Sequence, residues 1–254
     1  MNWFVIGNGP LERFPSGPGI RTIVFNRGFE ERSPTCRLIN ARLTEGGNRI
    51  DISGVAPFSG FERQVNQTRI SLQRCLNAMP STGLSCVYTM LQSVCIPDVV
   101  GMNLLPGLIR DRSLGERKPM ACYFHNWLAE RRLVLRHIEN LQWSQFYLKP
   151  LEGLDETEEN PYKLLRLLRD ETKTEQSKIL RILSEVKPEC WLTFHESSFE
   201  FHDSLFYLSR DQSISPNWWL FNYKASALLS RIHHQLAWAE QESFFQFRKT
   251  ENVG

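Results

Sequence analysis

At 254 residues, with 41% hydrophobic and 23% charged side chains, the chain has the balance of a globular protein with a sizeable core to bury. A net charge of +2 is too mild for a nucleic-acid footprint, so no nucleic-acid partner is expected. No run reaches the roughly 18 apolar residues needed to cross a bilayer, and Met1–Gly7 lacks the charged start of a signal peptide; a cytoplasmic protein is expected, in a bacterial setting or as a trimmed catalytic domain. The cysteines (Cys36, Cys75, Cys86, Cys95, Cys122, Cys190) form no C-x-x-C pair and have no histidine at zinc spacing.

In chain order, residues 3–6 are an apolar run stopping at Gly7, which predicts a buried strand. Arg21–Phe25 is β-branched and predicts a second strand. Cys36–Leu43 and Arg49–Val55 predict two more, separated by the turn signal Gly46-Gly47-Asn48. A helix is expected over Gln64–Asn77. Another is expected over about 84–95, with Ser81 or Thr82 as its N-cap, and then a short strand at Asp98–Gly101. Strands alternating with helices imply an α/β fold with parallel strands. Beyond Pro150 the pattern turns helical. Asn160-Pro161 reads as an N-cap followed by a first-turn proline, and a last helix is expected from about Asn217 to Phe247. The expected organisation is a catalytic α/β domain over 1–150 and a mainly helical region over 151–254.

Four stretches carry chemistry. Gly7-Asn8-Gly9-Pro10 follows the first strand, where glycines let backbone approach a phosphate or sugar and Asn8 offers a donor and an acceptor. The plain alternative is a tight turn requiring positive φ. Asn26 ends the second strand and would share that sheet edge, although Asn-x-Gly is also ordinary loop chemistry. Ser81, Thr82 and Gly83 precede a helix whose first N–H groups suit an anion, or serve only as a cap. His125 stands before a helix expected near Trp127, placed to act as a general base, with Glu130 to orient it or to complement the first turn. A single histidine among aromatics is more often structural.

Taken in order, these stretches resemble sialyltransferases. Gly7-Asn8-Gly9-Pro10, with Asn26 closing the next strand, resembles the start of the bacterial enzymes of glycosyltransferase family 42. Pro80-Ser81-Thr82-Gly83, a helix, and then Val99-Val100-Gly101-Met102-Asn103 resemble the small sialylmotif of family 29. His125-x-x-x-x-Glu130 followed by Arg131 resembles that family's very short motif. The resemblance spans about residues 3–136, lacks equivalents of the animal enzymes' disulfide cysteines, and shows no separate H-Y-x-E-type motif. It implies a Rossmann-like sheet with flanking helices, of the GT-A-variant sialyltransferase type, with a C-terminal helical region. It further implies inverting transfer of a sialic acid or Kdo-like ulosonic acid from a CMP donor to a glycan hydroxyl, with His125 as base. Gly7, Asn8, Gly9, Asn26, Ser81, Thr82, Gly83 and Asn103 would then hold the donor. No cofactor is expected, and no metal, because CMP carries one phosphate and the chain has no D-x-D triplet.

Two rival readings stay open: another nucleotide-sugar-dependent α/β transferase, and a non-catalytic scaffold retaining the fold. The aromatic, basic last helix reads chiefly as core cover. The other readings of that helix are peripheral contact with the inner face of a membrane bearing a lipid-linked acceptor, and assembly into an oligomer. His195, His202, His233 and His234 lack metal spacing.

Overall fold

Val5, Ile6, Ile23, Val24 and Phe25 are all buried, the continuous apolar run of strands covered on both faces. In the computed structural model they lie in β1 (Asn2–Ile6) and β2 (Ile20–Phe25), which join β3 (Cys36–Leu43), β4 (Gly47–Gly54) and β5 (Asp98–Val100) in one five-stranded sheet of order β4-β3-β2-β1-β5. The structure describes residues 2–26, 33–43, 47–93, 95–115, 118–152, 160–168, 172–192, 199–208 and 217–251, with the side chains of 42, 43, 47, 199, 200 and 251 left aside. The expected turn at Gly46 and the stretch around His195 fall outside these residues.

The sheet is mixed rather than wholly parallel. β5, β1, β2 and β3 run parallel, whereas β4 pairs antiparallel with β3. Residues 44–46 alone join β3 to β4, too few for the dozen or more that a parallel crossover needs. β3 and β4 alternate where they are covered: Cys36, Leu38 and Ile50 are buried, while their neighbours Arg37, Ile39, Arg49 and Asp51 are half-buried or exposed.

Helices α1 (Phe61–Leu76) and α2 (Thr82–Leu91) complete this part of the chain. α1 buries Phe61, Val65, Thr68, Leu72 and Leu76, one face of a helix. Its Asn66 donates to the Ile50 carbonyl at 2.8 Å and accepts from the Ile50 N–H at 2.9 Å, satisfying the outer edge of β4. α2 is capped by Ser81 and buried along most of its length. β1 has β2 on one side and β5 on the other, so successive crossovers leave it in opposite directions. The carboxyl ends of β1 and β5 therefore form a topological switch point.

By compactness, one unit comprises residues 1–104 and 136–147, and the other 105–135 and 148–254. The division does not follow a single cut near 150. Residues 136–147 return to the sheet, where the Val99 N–H donates to the Gln142 carbonyl at 2.8 Å and Trp143 and Phe146 are buried.

The helical unit contains α3 (Trp127–Leu135), α4 (Pro161–Leu167), α5 (Lys173–Glu185), α6 (Pro188–Trp191), α7 (Phe199–Asp203) and α8 (Tyr223–Glu251). Leu229, Ile232 and Leu236 of α8 are buried in one cluster with Leu180 and Leu183 of α5, Trp191, and Tyr123 and Leu128 from before the supposed boundary. Residues 105–135 belong here because their apolar side chains do. Asn160 accepts from the Tyr162 N–H at 2.9 Å with Pro161 at the first helical position, as the sequence predicts. α8 starts later than predicted, because Asn222 accepts from the N–H groups of Lys224 and Ala225 and the preceding Trp218–Phe221 forms a 3₁₀ turn. Among the described residues no helix is long and apolar enough to cross a membrane.

Candidate functional site

The switch point is built by backbone. The Gly7 N–H donates to the Val100 carbonyl, and the Gly9 N–H to the Gly101 carbonyl, both at 2.8 Å. A Cβ on Gly7 would stand 2.3 Å from the Gly101 oxygen, and one on Gly9 2.8 Å from it. Gly101 itself has a φ of +64° and faces the Gly7 oxygen. Close approach of two backbones, not a left-handed turn, is thus what requires glycine at 7 and 9; the left-handed residue is Gly101.

Above this crossing lies a pocket of about 270 Å³ lined by Gly9, Pro10, Gly101, Met102, Asn103 and Gln145. None of the described side chains that line it is charged. Its volume is just under the roughly 300–1,000 Å³ usual for small-molecule sites. Its wall is pinned from the returning segment. The buried Trp143 donates from Nε1 to the Met102 carbonyl at 2.5 Å. Gln145 accepts from the Met102 N–H at 3.2 Å and donates to the Pro10 carbonyl at 3.3 Å. Neither residue was among the sequence-predicted donor contacts, since they lie forty or more residues from Met102 and carry no motif.

The predicted donor residues divide into two groups. Gly9 and Asn103 line the pocket, Gly7 packs beneath it against Gly101, and Asn8 is exposed beside it. The remaining side chains are engaged in holding the sheet edge together. Asn26, at φ 51°, turns the chain off β2; its Oδ1 accepts from the Asn40 N–H at 3.0 Å and its carbonyl accepts from Arg37 at 2.7 Å. The Ser81 hydroxyl, nearly buried, accepts from the Leu84 N–H at 3.1 Å as the α2 cap. Thr82 donates to Asn40 Oδ1 at 2.9 Å. Gly83 leaves room for Met102, whose Sδ would lie 2.5 Å from a Cβ there. The first turn of α2 is thereby packed against a residue that lines the pocket.

His125 and Glu130 lie in the helical unit. His125 follows a 3₁₀ turn over Ala121–Phe124. It is half-buried, with its ring edge-to-face on Trp127 at 5.1 Å, and Trp127 Nε1 donates to the Cys122 carbonyl at 2.8 Å. Asn126 caps α3, accepting from the Ala129 N–H at 3.2 Å, and donates to Asp203 at 3.1 Å. Glu130 is wholly buried.

Arg131 and Arg132, the next two residues, enter a largely buried ionic network. Arg132 donates to Glu240 at 3.1 Å and to both carboxylate oxygens of Asp203. Arg131 donates to Gln241 at 3.2 Å. Burial raises the Glu240 carboxyl above the usual range, against the pull of Arg132, and pushes the Arg131 guanidinium down to about 9. The same burial pushes His202 down to about 4 and His233 to about 3. Only the spatial neighbourhood links these residues: Glu240 is 108 positions from Arg132. Among the described residues no three histidine, cysteine, aspartate or glutamate side chains converge as a metal site.

Comparison of the chain with known protein families, curated proteins and solved structures found no match.

Proposed function

We propose that this protein is an inverting glycosyltransferase, of the Rossmann-like sialyltransferase type, which transfers a CMP-linked acidic sugar to a glycan hydroxyl. The observation that carries this reading is the glycine-interlocked pocket at the switch point, with the first turn of α2 packed against the same wall. Open α/β sheets bind ligands at that place. A helix start supplies N–H groups and a positive dipole end for a phosphate. The order of the motifs narrows the ligand to a CMP-sugar.

In this mechanism the uncharged pocket takes the nucleoside portion, and the α2 terminus with Thr82 faces the phosphate. Ser81, as the cap, holds that terminus in shape, and Asn26 fixes the β2–β3 edge on which Thr82 leans. The acceptor hydroxyl loses its proton to a base, a role for which the motif order proposes His125, as its oxygen bonds to the anomeric carbon. The anomeric carbon–phosphate oxygen bond breaks, and CMP leaves with the bonding electrons. A single phosphate leaves one group whose charge the helix terminus meets, so the mechanism invokes no metal.

Two measurements on the wild-type protein test this. Thermal unfolding with CMP, UDP, GDP or NAD present should rise selectively with CMP, since a ligand that binds the folded state stabilises it. A CMP-sialic acid or CMP-Kdo hydrolysis assay should release CMP without any acceptor. Stabilisation by UDP in place of CMP would favour a different nucleotide-sugar transferase; no response to any nucleotide would leave the scaffold reading.

A further inference from the structure

Gln145 is exposed, yet both ends of its amide are engaged, one on each of the two loops that form the pocket. Its position along the chain is set by burial of its neighbours: Trp143 is 1% and Phe146 0% exposed. The side chain consequently projects from an anchored segment. The Met102 N–H needs an acceptor and the Pro10 carbonyl needs a donor. Among side chains of this length an uncharged amide supplies both. A glutamate would satisfy Met102 but set an oxygen against the Pro10 carbonyl, and a methionine would match the length with neither bond.

We propose that Gln145 is the positioning residue of the donor pocket. It bridges the Gly9–Pro10 backbone and the Gly101–Asn103 backbone and so sets the pocket width at which the nucleoside is gripped. This rests on reading the pocket as a nucleotide site. Gln145 acts through the two loops rather than by chemistry, so its loss weakens donor binding and spares the chemical step.

The test compares wild type with Gln145→Glu and Gln145→Met. Each is titrated with CMP by calorimetry, assayed for donor hydrolysis, and unfolded in urea. Loss of both exposed hydrogen bonds in Gln145→Met, and of the Pro10 bond with a new oxygen–oxygen repulsion in Gln145→Glu, predicts CMP binding weaker by on the order of 10-fold. The KM for the donor should rise in parallel, with kcat within about twofold and the urea midpoint near that of wild type. Methionine tests the loss of both bonds without a new charge, so a glutamate variant that fails to fold does not remove the test. If wild type binds CMP and the variants bind within about twofold of it, the inference is overturned. It is also overturned if the affinity loss tracks a fallen urea midpoint in both variants, which marks a purely structural role. If wild type binds neither CMP nor cytidine, it is the donor reading itself that fails.

Discussion

In the sheet unit the closest approaches are backbone on backbone, with Gly7 and Gly9 against Gly101. Of the polar side chains that tie this sheet edge together, Asn26, Asn40, Thr82 and Gln145 are neutral, and Arg37, on the Asn26 carbonyl, is charged. In the helical unit the tight contacts are between charges, with Arg132 held by Asp203 and Glu240 in the interior and histidines forced neutral nearby. The first arrangement leaves an open, uncharged cavity whose shape depends on the absence of side chains. The second depends on every charge keeping its partner. Added volume is therefore the hazard in one unit, and lost charge in the other.

The largest effect expected lies outside both hazards. His125→Ala should lower CMP-sugar-dependent transfer by roughly 10²–10⁴-fold, the usual contribution of a general base, while CMP affinity and the urea midpoint hold. Near-normal turnover would remove His125 from the mechanism. For the helical unit, Arg132→Ala should cost about 3–5 kcal/mol of unfolding free energy by leaving Asp203 and Glu240 buried without their cation. An unchanged urea midpoint would show that this network is not what holds α3, α7 and α8 together. In the sheet unit, Gly7→Ala should destabilise by about 1–3 kcal/mol and abolish CMP binding, because the new methyl meets the Gly101 carbonyl rather than a flexible side chain. Full retention of CMP binding would break the contrast from that side.

The smallest effect is a slope with pH. His202 and His233 have folded pKa values of about 4 and 3, below the usual 6.5, so between these limits the unfolded chain binds protons that the folded chain does not. Stability supplied by keeping them neutral is full above pH 6.5 and is lost as pH falls. Glu240, raised by burial, works the other way: the folded chain retains its proton as pH rises past the ordinary carboxylate range. His234 is lowered like the other two histidines and Asp98 is raised like Glu240, so the histidines outnumber the carboxyls and stability should fall as pH drops from 6.5 toward 4.5. Urea midpoints at pH 7, 6 and 5 measure it, and a flat or rising series would contradict the burial of these groups.

The sheet was legible because its signals are local. The apolar runs at 3–6 and 21–25, the caps at Ser81 and Asn160, and the glycines after β1 each state their structure within a few residues. The antiparallel pairing of β4 was legible in principle from the three residues at 44–46, but a pattern of alternating strands and helices favours parallel order and hid it. Of the residues expected at the donor, Gly9 and Asn103 line the pocket and Gly7 packs against Gly101, whereas Asn26 and Ser81 accept from backbone N–H groups, the loop and cap roles the sequence also allowed them. Polar residues at strand and helix ends serve caps and ligands with the same atoms, and a linear pattern does not separate the two. Gln145 and the Arg132–Glu240 pair were illegible because nothing but folding brings them to their partners.

Those long separations have a consequence in time. Gln145 reaches Pro10 across 135 positions, a longer closure than the Gly7–Val100 contact of the glycine crossing needs, so the pocket wall waits for the costlier of the two. On a ribosome, β1 to β5 are all made before the segment that pins the pocket emerges. A nascent chain released before residue 142 would carry the glycine crossing without its fastener, and the pocket is therefore among the last parts of the sheet unit to acquire its final shape.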